Sequence, residues 1–73
     1  MKGFIFTDHA QERMISRNIT EEMAIETIKK PEKRGEGYKK RLLAFRKYHH
    51  GILKVVYKEE GGRKIIISTI WED

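Results

Sequence analysis

KKRLLAFRKYHHGILKVVYKEEGGRKIIISTIW, the stretch Lys39–Trp71, decides the fold. Apolar, β-branched and aromatic residues dominate three runs, Lys39 to Tyr48, Ile52 to Glu59 and Arg63 to Trp71. The breaks between them carry turn chemistry, His49-His50-Gly51 and then Glu60-Gly61-Gly62. Three strands joined by links this short form an antiparallel meander. Alternation gathers Leu43, Phe45, Leu53, Val55, Ile65 and Ile67 on one side, which is the face expected to be covered.

Hairpin arithmetic adds an expectation about charge. A Tyr48–Ile52 pair around the first turn sets Arg46 directly across from Lys54. Like charges placed opposite cost roughly a few tenths to 1 kcal/mol; an alternate register, splayed and hydrated side chains, or an anion bound between them relieves that cost, and the anion is favoured because this face is the one the helices leave uncovered. Arg46 and Lys54 therefore read as a phosphate site on the uncovered face. Around Gly61-Gly62, a two-residue turn sets Thr69 rather than Ser68 across from Lys54.

Upstream, Glu32 to Gly37 is polar with two Gly and reads as a mobile loop. Before it, Thr20 caps a helix from Glu21 to about Lys30. Glu21 and Glu22 suit the positive end of its dipole and Lys29 and Lys30 the negative end. Ala24, Ile25 and Ile28 form its apolar stripe, and Pro31 stops it. A first helix covers Asp8 to Arg17. Thr7 or Asp8 is its N-cap, with Gln11 closing a capping box if the cap is Asp8. Ala10 and Met14 mark its buried side, Asn18 its C′ position, and Ile19 folds back on it. Lys2 to Phe6 reads as an initial edge strand. The order β-α-α-β-β-β makes residues 1–73 a single α+β domain, with two helices packed on one face of an antiparallel sheet.

Composition narrows the class of protein. The chain has 73 residues, no Cys, 37% charged residues and a formal net charge of +5. Stability has to come from packing, because no disulfide or thiolate metal site is available. There is no run long enough to span a membrane, and residues 1–20 lack the pattern of a signal peptide, so a soluble, cytoplasmic protein is expected. Nine Lys or Arg stand against two Glu between Lys29 and Lys47, a local +7, which leaves −2 for the rest of the chain. Such an excess favours an anionic partner, although a solvated surface has the same composition.

The chemistry-bearing feature is a stripe. His9, Arg13 and Arg17 recur every four residues and span about 80° of helical arc, beside Ala10 and Met14. An imidazole that titrates near neutral pH, next to two permanent cations with planar forks of donors, suits a phosphate ligand. No metal-ligand spacing, Gly-x-Ser-x-Gly turn or phosphate loop occurs, and no metal or cofactor is expected. Asn18-Ile19-Thr20 suggests a helix-turn-helix only superficially, since Glu21, Glu22 and Glu26 on the second helix would be repelled by DNA phosphates.

The phrases Phe6-Thr-Asp-His9-Ala-Gln-Glu-Arg13-Met-Ile-Ser-Arg17-Asn-Ile, Leu53-Lys-Val-Val56 and Ser68-Thr-Ile-Trp71 resemble a small bacterial and archaeal family of domains of unknown function. That family is similar to the RelE and BrnT toxins of the barnase, EndoU, colicin and RelE superfamily of metal-independent ribonucleases. The resemblance covers nearly the whole chain and is most specific in the first helix, where Asn18 stands at a position that relatives often fill with Gly. It implies a RelE-like fold, RNA or the ribosome as partner, and an antitoxin protein covering the basic groove. It also implies site residues: His9, Arg13 and Arg17 match the family's motif, Lys54 a basic residue of the middle strand and Thr69 a hydroxyl of the last.

For a metal-independent endoribonuclease, His9 would act as acid or base, with Arg13 and Lys54 completing the catalytic set. Arg17, Arg46 and Thr69 would then bind RNA, and Tyr57, Ser68 or Thr69 would orient a hydroxyl. The sequence leaves two other readings open: a non-catalytic RNA- or ribosome-binding module on the same groove, and a small structural or interaction protein.

Overall fold

Both helices form where their caps direct. In the computed structural model, which describes residues 3–72, Thr7 is extended and its Oγ1 accepts from Ala10 N at 3.1 Å. Thr7, not Asp8, is thus the N-cap of α1 (Asp8–Arg17). Gln11 N donates to the Thr7 carbonyl at 2.9 Å as an ordinary first-turn bond, so the capping box from Asp8 does not form. Asn18 takes the left-handed conformation at φ 56°, and Ile19 N donates to Met14 O at 2.9 Å, which ends the helix and buries Ile19 beneath it. Thr20 Oγ1 then accepts from Met23 N at 3.1 Å and starts α2 (Glu21–Lys29).

Five strands make the sheet: β1 (Phe4–Phe6), β2 (Lys33–Glu36), β3 (Leu42–Tyr48), β4 (Gly51–Glu60) and β5 (Arg63–Glu72), in the order β1-β5-β4-β3-β2. The meander β3-β4-β5 is antiparallel as expected, but β1 runs parallel to β5, so the sheet is mixed. The expected first strand began at Lys2, which lies outside the described residues. The expected loop over 32–37 is instead mostly strand, with β2 pairing antiparallel to β3. Strand β2 carries no apolar pattern because an edge strand is held by backbone hydrogen bonds, and charged side chains there discourage further pairing. It leaves β3 to start at Leu42 rather than Lys39, after a turn at Tyr38–Lys40.

The covered face differs from the expected one by two register steps. Tyr48 pairs with Gly51 rather than Ile52, so Ala44 lies across from Val55 and Arg46 across from Leu53. A slip of one residue exchanges the faces of a strand. The helices therefore cover Leu42, Ala44, Arg46 and Tyr48, while Leu43 and Phe45 project from the other side with Lys54. In β5, the two-residue turn pairs Glu60 with Arg63, which puts Ile65 beside Lys58 on the uncovered face. A bulge opposite Val56/Tyr57 then takes Ile67 as its extra residue, moving Ile70 across from Lys54 and turning Thr69 towards the helices. Leu53 and Val55 face the helices as expected and, with Ile66, are fully buried against Ala10, Met14, Ile19, Ala24 and Ile28. Among the described residues no helix is long and apolar enough to cross a membrane.

A polar clasp ties β3 to α2. The Tyr48 hydroxyl lies 2.9 Å from Glu26 Oε1, 3.1 Å from the Met23 carbonyl and 3.2 Å from Thr27 Oγ1. Burial raises the Tyr48 pKa, and the hydrogen bond and charge of Glu26 raise it further, against the lowering effects of Thr27 and Arg46. A phenol whose folded pKa lies above its unfolded value of 10.0 contributes stability below that pH and loses it as pH rises through the folded value. Tyr48→Phe is expected to cost about 0.5–1.5 kcal/mol at neutral pH. The difference from the parent should shrink in urea titrations run above the unfolded pKa; a difference unchanged with pH would show that this phenol's ionisation is not coupled to folding.

Candidate nucleic-acid interface

Three of the side chains singled out in the sequence are turned inward. Strand β1 ends at Phe6, level with Ile66, and α1 lies along the part of β5 that continues beyond it. There Arg17 Nη1 donates to the Thr69 carbonyl at 2.6 Å, and Trp71 Nε1 donates to the Arg17 carbonyl at 2.8 Å. Arg17 closes an open strand edge, a backbone-covering role. Arg46, on the helix side of β3, donates to the Lys30 carbonyl at 2.7 Å and lies 3.7 Å from Glu26 Oε1. Thr69 is fully buried and its hydroxyl has no hydrogen-bond partner. The expected Arg46–Lys54 phosphate site is not formed, because the tighter His49-His50 turn places the two residues on opposite faces.

The proposed catalytic set is likewise divided. His9 and Arg13 are both exposed, one turn apart on α1. Lys54 projects from the far face of the sheet, so β-structure separates it from the stripe. His49 and His50 form the exposed β3–β4 turn, with the His50 ring 5.7 Å from Trp71. Among the described residues no group of three or more His, Asp or Glu side chains is placed to hold a metal ion.

What the fold does assemble is the basic block. Lys29 and Lys30 at the end of α2, Lys33 and Arg34 on β2, and Lys39, Lys40 and Arg41 in the following turn are all exposed. Among the described residues none of these seven cations is ion-paired; the salt bridges lie elsewhere, at Arg46–Glu26, Lys58–Glu60 and Lys64–Glu59. Tyr38 opens the turn that holds Lys39, Lys40 and Arg41; it is 80% exposed, with Lys39 Nζ 5.6 Å from its ring centre. Its position is held at a conformational cost. Lys39 and Lys40 both adopt positive φ, 58° and 62°, which costs L-residues roughly 1–2 kcal/mol each. Arg41 N donating to Tyr38 O at 3.3 Å and Gly37 N donating to Arg41 O at 2.7 Å close the turn.

An open cleft of about 940 Å³ adjoins this rim, walled in part by Phe4, Ile28, Lys29, Arg34, Tyr57 and Lys64. Glu36 and Glu59 also line it, so carboxylates and cations share its wall. Sequence reasoning located the charge excess but passed over Tyr38, whose only signal was an aromatic residue within a run of Lys and Arg.

An α+β domain with a basic, aromatic-bearing rim is the class that fold and surface define. Residues 6–72 match the family described as a domain of unknown function (DUF4258), and the chain belongs to that family. No curated protein and no solved structure matches the chain.

Proposed function

We propose that this protein binds single-stranded RNA through the β2–β3 rim. The observation that carries the reading is the 80% exposed Tyr38 followed directly by the exposed cations Lys39, Lys40 and Arg41, none of them ion-paired among the described residues, with Lys33 and Arg34 on the adjoining strand. Cations along a groove track the phosphate backbone, and an exposed aromatic ring offers a stacking platform for a base. Positive φ at two consecutive lysines beside Tyr38 supports the same reading, since backbone strain of this kind collects at binding sites.

Anisotropy of a labelled RNA oligonucleotide across a salt series tests it. Replacing Lys39, Lys40 and Arg41 together with Ala should flatten the slope of log K against log salt by about 2, at about 0.7 per lost phosphate contact. Tyr38→Ala should weaken binding by roughly 5- to 150-fold, the equivalent of losing one stacked base. Unchanged affinity and slope in both variants would reject this interface.

The exposed pair His9 and Arg13 favours a second reading, a RelE-like, metal-independent endoribonuclease, with the ribosome as substrate carrier and an antitoxin as partner. In the same RNA samples with chelator present, cleavage ending in a 2′,3′-cyclic phosphate and slowed about 10²- to 10⁴-fold by His9→Ala would establish it. Binding without cleavage by the parent protein leaves the non-catalytic module.

A further inference from the structure

Among the described residues nothing covers the face of the sheet opposite the helices. Register places Leu43 and Phe45 of β3, Ile52 and Val56 of β4, and Ile65 and Ile70 of β5 on it, all only partly buried. An aliphatic carpet of this kind marks a protein contact rather than an RNA platform, because isoleucines do not stack with bases. Lys54 stands at its centre, flanked by Phe45 on one side and Ile70 on the other, with Ile52 and Val56 next on its own strand face.

Charge on this face identifies the occupant. Lys58 is satisfied by Glu60 at 3.0 Å, whereas Lys54 has no carboxylate within ion-pair distance among the described residues. Covering the carpet would strip water from the Lys54 ammonium, which is costly unless the covering surface brings a counter-charge. A second copy stacked face to face meets net like charge, since Lys33, Lys47 and Lys54 outnumber Glu72, the carboxylate across from Ile52. We propose that the open face docks an apolar segment of another protein that carries one carboxylate, seated against Lys54 and surrounded by aliphatic side chains. The proposal does not rest on the RNA reading, whose test uses Tyr38, Lys39, Lys40 and Arg41; only Lys33, across from Phe45, borders both surfaces.

Selection of displayed random peptides on the full-length protein tests it. The parent should enrich sequences with an Asp or Glu flanked by aliphatic residues. Lys54→Glu should enrich Lys or Arg at that place instead, and should weaken the parent's best peptide by about 30-fold or more. Lys54→Gln guards against a folding artefact: it keeps the helix-side core and should fall between the two. No enrichment, or enrichment that neither variant alters, would overturn the proposal. So would sedimentation showing a dimer dispersed by Ile70→Asp, which makes the occupant a second copy. Loss of RNA affinity in Lys54→Gln, with the rim intact, would assign the face to RNA and equally overturn it.

Discussion

Leu53→Ala is expected to lower the melting temperature by about 12–40 °C, following a loss of about 3–5 kcal/mol at about 4–8 °C per kcal/mol for a domain of this size. Leu53 lies mid-strand on β4, fully buried, with Arg46 and Trp71 as its cross-strand neighbours. Both neighbours are fastened to the helical layer, Arg46 to the Lys30 carbonyl and Trp71 to the Arg17 carbonyl, so neither can relax into the space a truncated side chain leaves. The cost therefore falls at the upper end for a Leu truncation. Val56→Ala, three residues along the same strand but on the open face, should cost less than about 1 kcal/mol, because little of its transfer energy is gained on folding. Thermal melts followed by circular dichroism check both. Equal losses would mean that the covered and open faces have been assigned wrongly.

That contrast bears on how far the sequence can be read. Thr7, Asn18, Thr20 and Pro31 act on their own immediate backbone, and the two helices lie within a residue of their expected limits. The three strands of the meander also follow from local composition. Which side of each strand is covered does not, because it hangs on single residues at the turns. Closing the first hairpin at His49-His50 instead of His49-Gly51 turned Leu43 and Phe45 outward, and one extra residue at Ile67 turned Thr69 inward. Neither choice has a signature in apolar patterning, since Leu42 and Leu43, or Ile65 to Ile67, satisfy both phases equally. Strand β2 was hidden for a different reason: Lys33–Glu36 is stabilised by its backbone pairing to β3, to which side-chain pattern is indifferent.

The site was legible as charge and illegible as geometry. The excess between Lys29 and Lys47 is divided by the sheet: Arg34 and Arg46 lie on its helix side, Lys33 and Lys47 on its open side, and Lys39, Lys40 and Arg41 in the turn after β2. The stripe His9, Arg13, Arg17 was correctly placed on one helix edge, yet its C-terminal member serves the exposed edge of β5. Helical periodicity gives the direction of a side chain; it carries no information about an unpaired carbonyl some fifty residues away. The stripe on α1 and the β2–β3 turn belong to opposite sides of the sheet, about 14 Å apart at three strand spacings from β5 to β2, while Lys29 of α2 lies over Phe4 of β1. An RNA engaging both would have to cross the helical layer or the open face.

Thr69→Val is expected to stabilise the protein by about 1–2 kcal/mol and to raise its melting temperature by about 4–15 °C. Thr69 is fully buried on the helix side of β5, and among the described residues its Oγ1 has no hydrogen-bond partner. A hydroxyl in that state has given up its bonds to water without replacement, and Val fills the same volume with a methyl group that suffers no such loss. Both residues are β-branched and fit a strand equally well, so the backbone contributes little to the difference. The Arg17 bond is made to the Thr69 carbonyl and survives the change. Thr69→Ser provides the opposite control, keeping the hydroxyl, deleting the methyl and lowering stability by about 1 kcal/mol through lost packing. RNA affinity should be the same in all three proteins, since this side chain faces the core. A Val variant that melts lower, or binds RNA less well, would show that the hydroxyl has a partner after all and return Thr69 to the interface.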